Sequence, residues 1–169
     1  GTAGVREGGS DAAMVDGAYE ACDAVVGRLL PKLGKRDLLL VLSDHGFTTF
    51  TRCINVNAWL RDNGYLVERE PGGAGDMLSN IEWSQTRAYS FGLTGIYLNM
   101  AGRESQGIVA AGEEARQLAA EIVAKLEGLH DEGRPVVKRL YQATEVYSGP
   151  YMKMAPDIIC GWHSGFRHS

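Results

Sequence analysis

The sequence predicts an α/β fold: a central, mostly parallel sheet flanked by helices. Three observations predict it. Residues 11–30 place Met14, Ala18, Cys22, Val25, Val26, Leu29 and Leu30 three or four positions apart, the period of an amphipathic helix. After a short turn, residues 38–42 form the unbroken apolar run LLLVL, the pattern of a strand covered on both faces in a parallel sheet. Residues 112–129 repeat the helical period, with Ala115, Leu118, Ala119, Ile122, Val123, Leu126 and Leu129 on one stripe and charges on the other. Helix, turn and buried strand in succession are the units from which α/β layers are built.

The remaining elements follow in order. Pro31 and Gly34 close the first helix, since proline lacks the N–H a continuing helix needs. Residues 57–63 read as a short helix ended by Gly64, which suits a left-handed C-terminal cap. Tyr65, Leu66 and Val67 look like a short strand, and residues 71–75 like a glycine-rich surface turn. Residues 88–99 are aromatic and β-branched and broken by Gly92 and Gly95, which predicts two short strands around a bend. Residues 136–140 and 157–160 complete the strand candidates.

Composition narrows the function. A 169-residue chain with 44% hydrophobic and 22% charged residues has the makeup of one globular domain rather than of a disordered chain. Its net charge of -4 supplies no basic field for a nucleic-acid polymer or an anionic membrane, so small molecules are the expected partners. No apolar run approaches the roughly 18 residues that span a bilayer, and residues 1–10 lack the apolar core of a signal peptide. Cys22, Cys53 and Cys160 are widely spaced without a CxxC pair, which disfavours a disulfide framework or thiolate zinc site and points to a reducing, cytoplasmic setting.

The chemistry concentrates in LLLVLSDHGF, residues 38–47, where the expected strand ends in Ser43, Asp44, His45 and Gly46. Ligands of open α/β sheets gather at the carboxyl ends of strands. An adjacent Asp and His offer a hard oxygen and a borderline nitrogen to a divalent metal, and Gly46 lets the chain turn with no Cβ in the way. The competing reading is local: Asp44 starts a turn, His45 is a loop residue and Gly46 satisfies turn geometry.

In its context, SDHGF after an apolar strand resembles the metal-binding motif of the alkaline phosphatase superfamily, in its type I phosphodiesterase and nucleotide pyrophosphatase branch. RCINVNAWLRDNGYL (52–66), WSQTRAYSFGLTGIYLNMAGRESQG (83–107) and APDIICGWHSGFRHS (155–169) resemble segments that follow this motif in phosphodiesterases and phosphomutases of that superfamily. The resemblance implies an alkaline phosphatase-like catalytic domain using two divalent metal ions, usually zinc, with manganese and iron also compatible with the Asp and His. Asp44 and His45 match the pair that holds the ion activating a Ser or Thr nucleophile. That nucleophile and the first metal ligands are expected upstream of the motif, and a last metal histidine beyond Ser169. Residues 1–169 therefore read as a partial catalytic domain, with its sheet incomplete and 68–107 as a candidate cap or insertion; no catalytic nucleophile is assigned within the chain.

The implied activity is metal-dependent phosphoryl transfer, a phosphodiesterase or pyrophosphatase-like hydrolase acting on a small phosphate ester or phosphodiester. A phosphomutase of the same superfamily is the alternative, and a non-catalytic binding or structural module is the reading from another class. Other candidates weigh less. His163 and His168 could form a metal pair but read as loop or surface histidines. His130 beside Asp131 reads as a solvated residue near a helix end, and Arg167 as a surface residue that could meet a phosphate. Ser43 lacks the glycine pattern of a nucleophile elbow and is expected to close the turn. Arg103 and Glu104 read as an ion pair holding a loop, and Asn57, Trp59 and Tyr65 as packing or capping residues.

Overall fold

The computed structural model describes residues 10–73 and 78–169, and of 10–12 only the backbone. The chain forms two compact units divided between Thr49 and Phe50. The composition of residues 1–9 and the end of the expected 71–75 turn fall outside the described residues.

The first unit opens with α1 (Ser10–Leu29), as the periodicity predicts, followed by a 3-10 turn at Leu30–Lys32 with Pro31 inside it. Residues 38–42 depart from the expectation. They belong to no strand, and Leu38, Leu40, Val41 and Leu42 are between 66% and 85% exposed. A strand exists only where a neighbour takes up its N–H and C=O groups, and among the described residues none does. Met14, Val15, Tyr19, Val25 and Leu29 of α1 are exposed too, Met14 and Tyr19 most of all, while Val26 is half-buried.

The second unit carries the core. Its elements are β1 (Phe50–Ile54), α2 (Val56–Asp62), β2 (Ala88–Phe91), β3 (Gly95–Leu98), α3 (Glu113–Glu127), the two-residue strands β4 (His130–Asp131) and β5 (Arg134–Pro135), β6 (Val137–Gln142), the one-turn helix α4 (Ala143–Val146), β7 (Ile158–Trp162) and β8 (Gly165–His168). The main sheet runs β2-β3-β7-β6, every pair antiparallel; β1 and β8 form a separate parallel pair. The α/β character is thus present, but among the described residues the parallel pairing between strands is that of β1 with β8, beside isolated parallel bridges at Met100–Val109 and Ala101–Glu104, and the expected mostly parallel sheet is not what these strands build. Residues 68–107 contribute β2 and β3 to this sheet.

Local sequence explains the elements. Asn55 caps α2 by accepting from the Ala58 N–H at 2.9 Å, and Gly64 ends it at φ +77, the left-handed conformation expected of it. Tyr65–Val67 belongs to no strand, and Tyr65 lies in a bend; the Tyr65 carbonyl accepts from Arg87 and Ala88, and the Val67 carbonyl from Glu82. Leu118, Ala119, Ile122 and Leu126 of α3 are buried against the sheet, as their spacing requires. Burying each of the larger three stabilises the unit by about 1.5–3 kcal/mol. Leu60, Ile96, Leu98 and Ile158 complete the centre of this core. At Gly107 an added Cβ would run into the Met100 backbone, so the 99–109 loop closes only around a glycine. Among the described residues no helix is long and apolar enough to cross a membrane.

Candidate metal centre

Asp44 and His45 follow the apolar run in a tight bend. Ser43 Oγ donates to the His45 carbonyl at 2.6 Å, closing the turn as expected of it, and the His45 N–H donates to Asp44 Oδ1 at 3.0 Å. The His45 ring is held by Nδ1, 3.0 Å from the Gly46 carbonyl. A carbonyl only accepts, so Nδ1 carries the proton and Nε2 of the neutral ring keeps its lone pair. That Nε2 lies 3.4 Å from Asp44 Oδ2.

Two acceptors therefore converge with no proton between them when the ring is neutral, an arrangement that favours a cation. In a tetrahedral zinc site with bonds of about 2.1 Å, neighbouring ligand atoms stand about 3.4 Å apart. A histidine ligand that donates its other N–H to a backbone carbonyl is the usual orienting device. The donor set thus fits a divalent ion. Both side chains are open to solvent, and among the described residues no group of three or more His, Cys, Asp or Glu gathers here or elsewhere; the pair offers two of the four donors that a tetrahedral ion takes.

The other candidates lie in the second unit. His130 is exposed, with Nδ1 2.9 Å from the Gly128 carbonyl, in line with its reading as a solvated group beside the end of α3. Asp131 pairs with Arg52 and Arg134. Arg167 stacks over the Phe50 ring at 4.8 Å. His163 is half-buried and its N–H donates to Val136.

His168 corrects its reading as a loop or surface residue. It is 5% exposed, with Nε2 2.8 Å from Ser90 Oγ and its ring edge-on to Trp162. Desolvation by burial lowers its pKa from the ordinary 6.5. The signal was the alternation of β8, in which Phe166 and His168 share the buried face and Arg167 points outward.

Arg103 and Glu104 form the expected ion pair at 2.8 Å, but Arg103 also grips Asp157, a partner that sequence reasoning missed because 54 residues separate them. Tyr89, held by burial and by Glu104, has its hydroxyl pKa pushed up to about 12. Asn57 brackets Ser90, accepting from its N–H at 2.7 Å and donating to its carbonyl at 2.9 Å. Trp59 stacks on Tyr65, whose hydroxyl donates to Glu121. These three pack and position, as read from the sequence.

Neither a curated protein nor a solved structure matches the chain. The family model for type I phosphodiesterase / nucleotide pyrophosphatase, the branch that the SDHGF context pointed to, matches residues 2–167. With its Asp and His donors set at the end of an apolar run and nearly its whole length within that match, the chain belongs to the type I phosphodiesterase / nucleotide pyrophosphatase family.

Proposed function

We propose that this chain belongs to a metal-dependent phosphodiesterase or nucleotide pyrophosphatase-type hydrolase and supplies Asp44 and His45 as ligands to one of two divalent ions, zinc or alternatively manganese or iron. Family membership supports phosphoryl-transfer hydrolysis. The observation that carries the ligand assignment is the 3.4 Å approach of His45 Nε2 to Asp44 Oδ2 with Nδ1 tied to Gly46.

Such an ion, when bound, lowers the pKa of a coordinated hydroxyl and neutralises charge on the phosphate oxygens. The residues of this chain do the rest of the work at that point. Asp44 presents a carboxylate oxygen, His45 presents Nε2, and the Gly46 carbonyl fixes the ring's tautomer and orientation. Ser43 holds the bend through the His45 carbonyl and takes no part as nucleophile.

We assign residues 1–169 to part of a catalytic domain, with 68–107 in a cap or insertion, acting in the cytoplasm on a small phosphate ester or phosphodiester. The isolated chain is expected to be inactive. The test is metal content and turnover of a bis-aryl phosphate ester in a protein containing the whole catalytic domain, beside its Asp44→Asn variant. Joint loss of one metal equivalent and of turnover supports the assignment. Unchanged turnover sinks it, and a metal-free, inactive protein favours a binding module.

A further inference from the structure

We propose that His168 is an acid-sensitive latch: its neutral ring fastens β8 to the β2–β3 hairpin, and proton uptake releases β8 from the hairpin and from its pairing with β1. The reasoning starts at Ser90, which has a single O–H. Gly95's carbonyl, 2.8 Å away, can only accept, so Ser90 spends its proton there. Ser90 Oγ must then accept from His168, whose Nε2 is 2.8 Å away. The neutral ring is therefore protonated at Nε2 and bare at Nδ1.

That Nδ1 is buried and has no partner among the described residues. A second proton would go there and bring a charge with it. The nearest ring, Trp162 at 5.9 Å, carries an N–H donor and offers no acceptor for the new N–H. A buried donor without an acceptor, on a charged ring, is costly, and opening the strand to water is the relief.

Among the described residues no charged group makes a hydrogen bond or ion pair to the His168 ring, and Arg134 of β5, which lies over Phe166 at 5.0 Å, has the wrong sign to compensate a proton there. On β1, Arg52 is engaged with Asp131 and Glu132. On β8, Arg167 lies over Phe50. On α2, Arg61 pairs with Asp62 and Glu68. On β7, burial pushes the Cys160 thiol up to about 12, so it stays neutral, as does Tyr89 on β2. Tyr97 of β3 stacks on Tyr89. His163, in the β7–β8 turn, bonds to Val136 through its backbone N–H. None of these makes a hydrogen bond or ion pair to the His168 ring.

The consequences spread through β8 to β1, because Ile54 stands opposite His168 and the Ser169 N–H donates to the Ile54 carbonyl at 3.0 Å. The folded form holds the proton less readily than the open form, whose ordinary value is 6.5. The latch is therefore fully closed above pH 6.5 and weakens as the pH falls from there towards the folded pKa.

Two measurements test this. Ring 15N shifts at pH 7.5 are expected to show Nε2 protonated and Nδ1 bare; the opposite tautomer overturns the proposal. Hydrogen-exchange protection of the Ser169 amide, which donates to Ile54 of β1, is expected to fall about tenfold per pH unit below 6.5 relative to Leu140 and Cys160. A pH-independent ratio overturns it. In His168→Gln, which can still donate to Ser90 but does not titrate, the ratio should become flat; an unchanged slope assigns the effect to another group and overturns the latch. The two wild-type measurements decide even where that variant does not fold.

Discussion

Arg103 and Asp157 meet in two parallel hydrogen bonds, Nη1 to Oδ1 at 3.2 Å and Nη2 to Oδ2 at 2.7 Å. Asp157 Oδ2 also accepts the Leu98 N–H, and Arg103 Nη2 also donates to the Leu98 carbonyl. This pair joins the loop after β3 to the start of β7, and its two-pronged geometry is the one that Arg makes and Lys does not. Asp157→Ala leaves a half-buried guanidinium and a backbone N–H without partners. It is expected to cost about 2–4 kcal/mol, read as a lowered urea midpoint. Arg103→Lys should cost less, and a double-mutant cycle should show the two effects to be strongly coupled.

The three cysteines should divide cleanly. Cys160 is buried with its thiol raised to about 12, whereas Cys22 and Cys53 are exposed. Only a thiolate reacts. At pH 8 a thiol reagent should label two groups in the native chain and the third only after denaturation. Rapid modification of all three would contradict the packing of β7.

Two glycines should respond in opposite directions. Gly107→Ala forces a Cβ against the Met100 backbone and is expected to destabilise the second unit by about 1–3 kcal/mol or more. Gly17, in α1, has open space where a Cβ would stand. Gly17→Ala should therefore raise helicity, stabilising α1 by about 1 kcal/mol. Circular dichroism and urea unfolding of each variant check both.

Exposure of the 38–42 run makes a further prediction. Leu38, Leu40, Val41 and Leu42 form an uncharged, proline-free, β-prone segment that lies open, the kind that pairs with other chains. The 169-residue chain should self-associate in light scattering. Leu40→Lys with Leu42→Lys should suppress this while leaving the urea midpoint of the Phe50–Ser169 unit unchanged.

Much of this was readable from sequence wherever the physics is local. The 3.6-residue spacing of Leu118, Ile122 and Leu126 gave α3, and Gly64 marked the end of α2, because each depends on neighbours a few positions away. The β2–β3 hairpin was visible from Gly92 between two β-prone stretches. The run at 38–42 misled, since an all-apolar pattern reports that a segment suits burial on both faces but not which strands cover it. Ser90 with His168 and Arg103 with Asp157 were invisible for a different reason: their partners are brought together only by the sheet order β2-β3-β7-β6 and the β1–β8 pairing. Asp44, His45 and Gly46 stood out as a motif, whereas the convergence of Nε2 on Oδ2 is a property of side-chain angles.

Metal binding tests the central claim most directly. Calorimetric titration of zinc into the 169-residue chain at pH 7.5 is expected to show one site whose affinity falls in Asp44→Asn and again in His45→Ala, each by more than the roughly tenfold that losing an outer-shell contact costs. Zinc binding that is equally strong in both variants would contradict Asp44 and His45 as ligands.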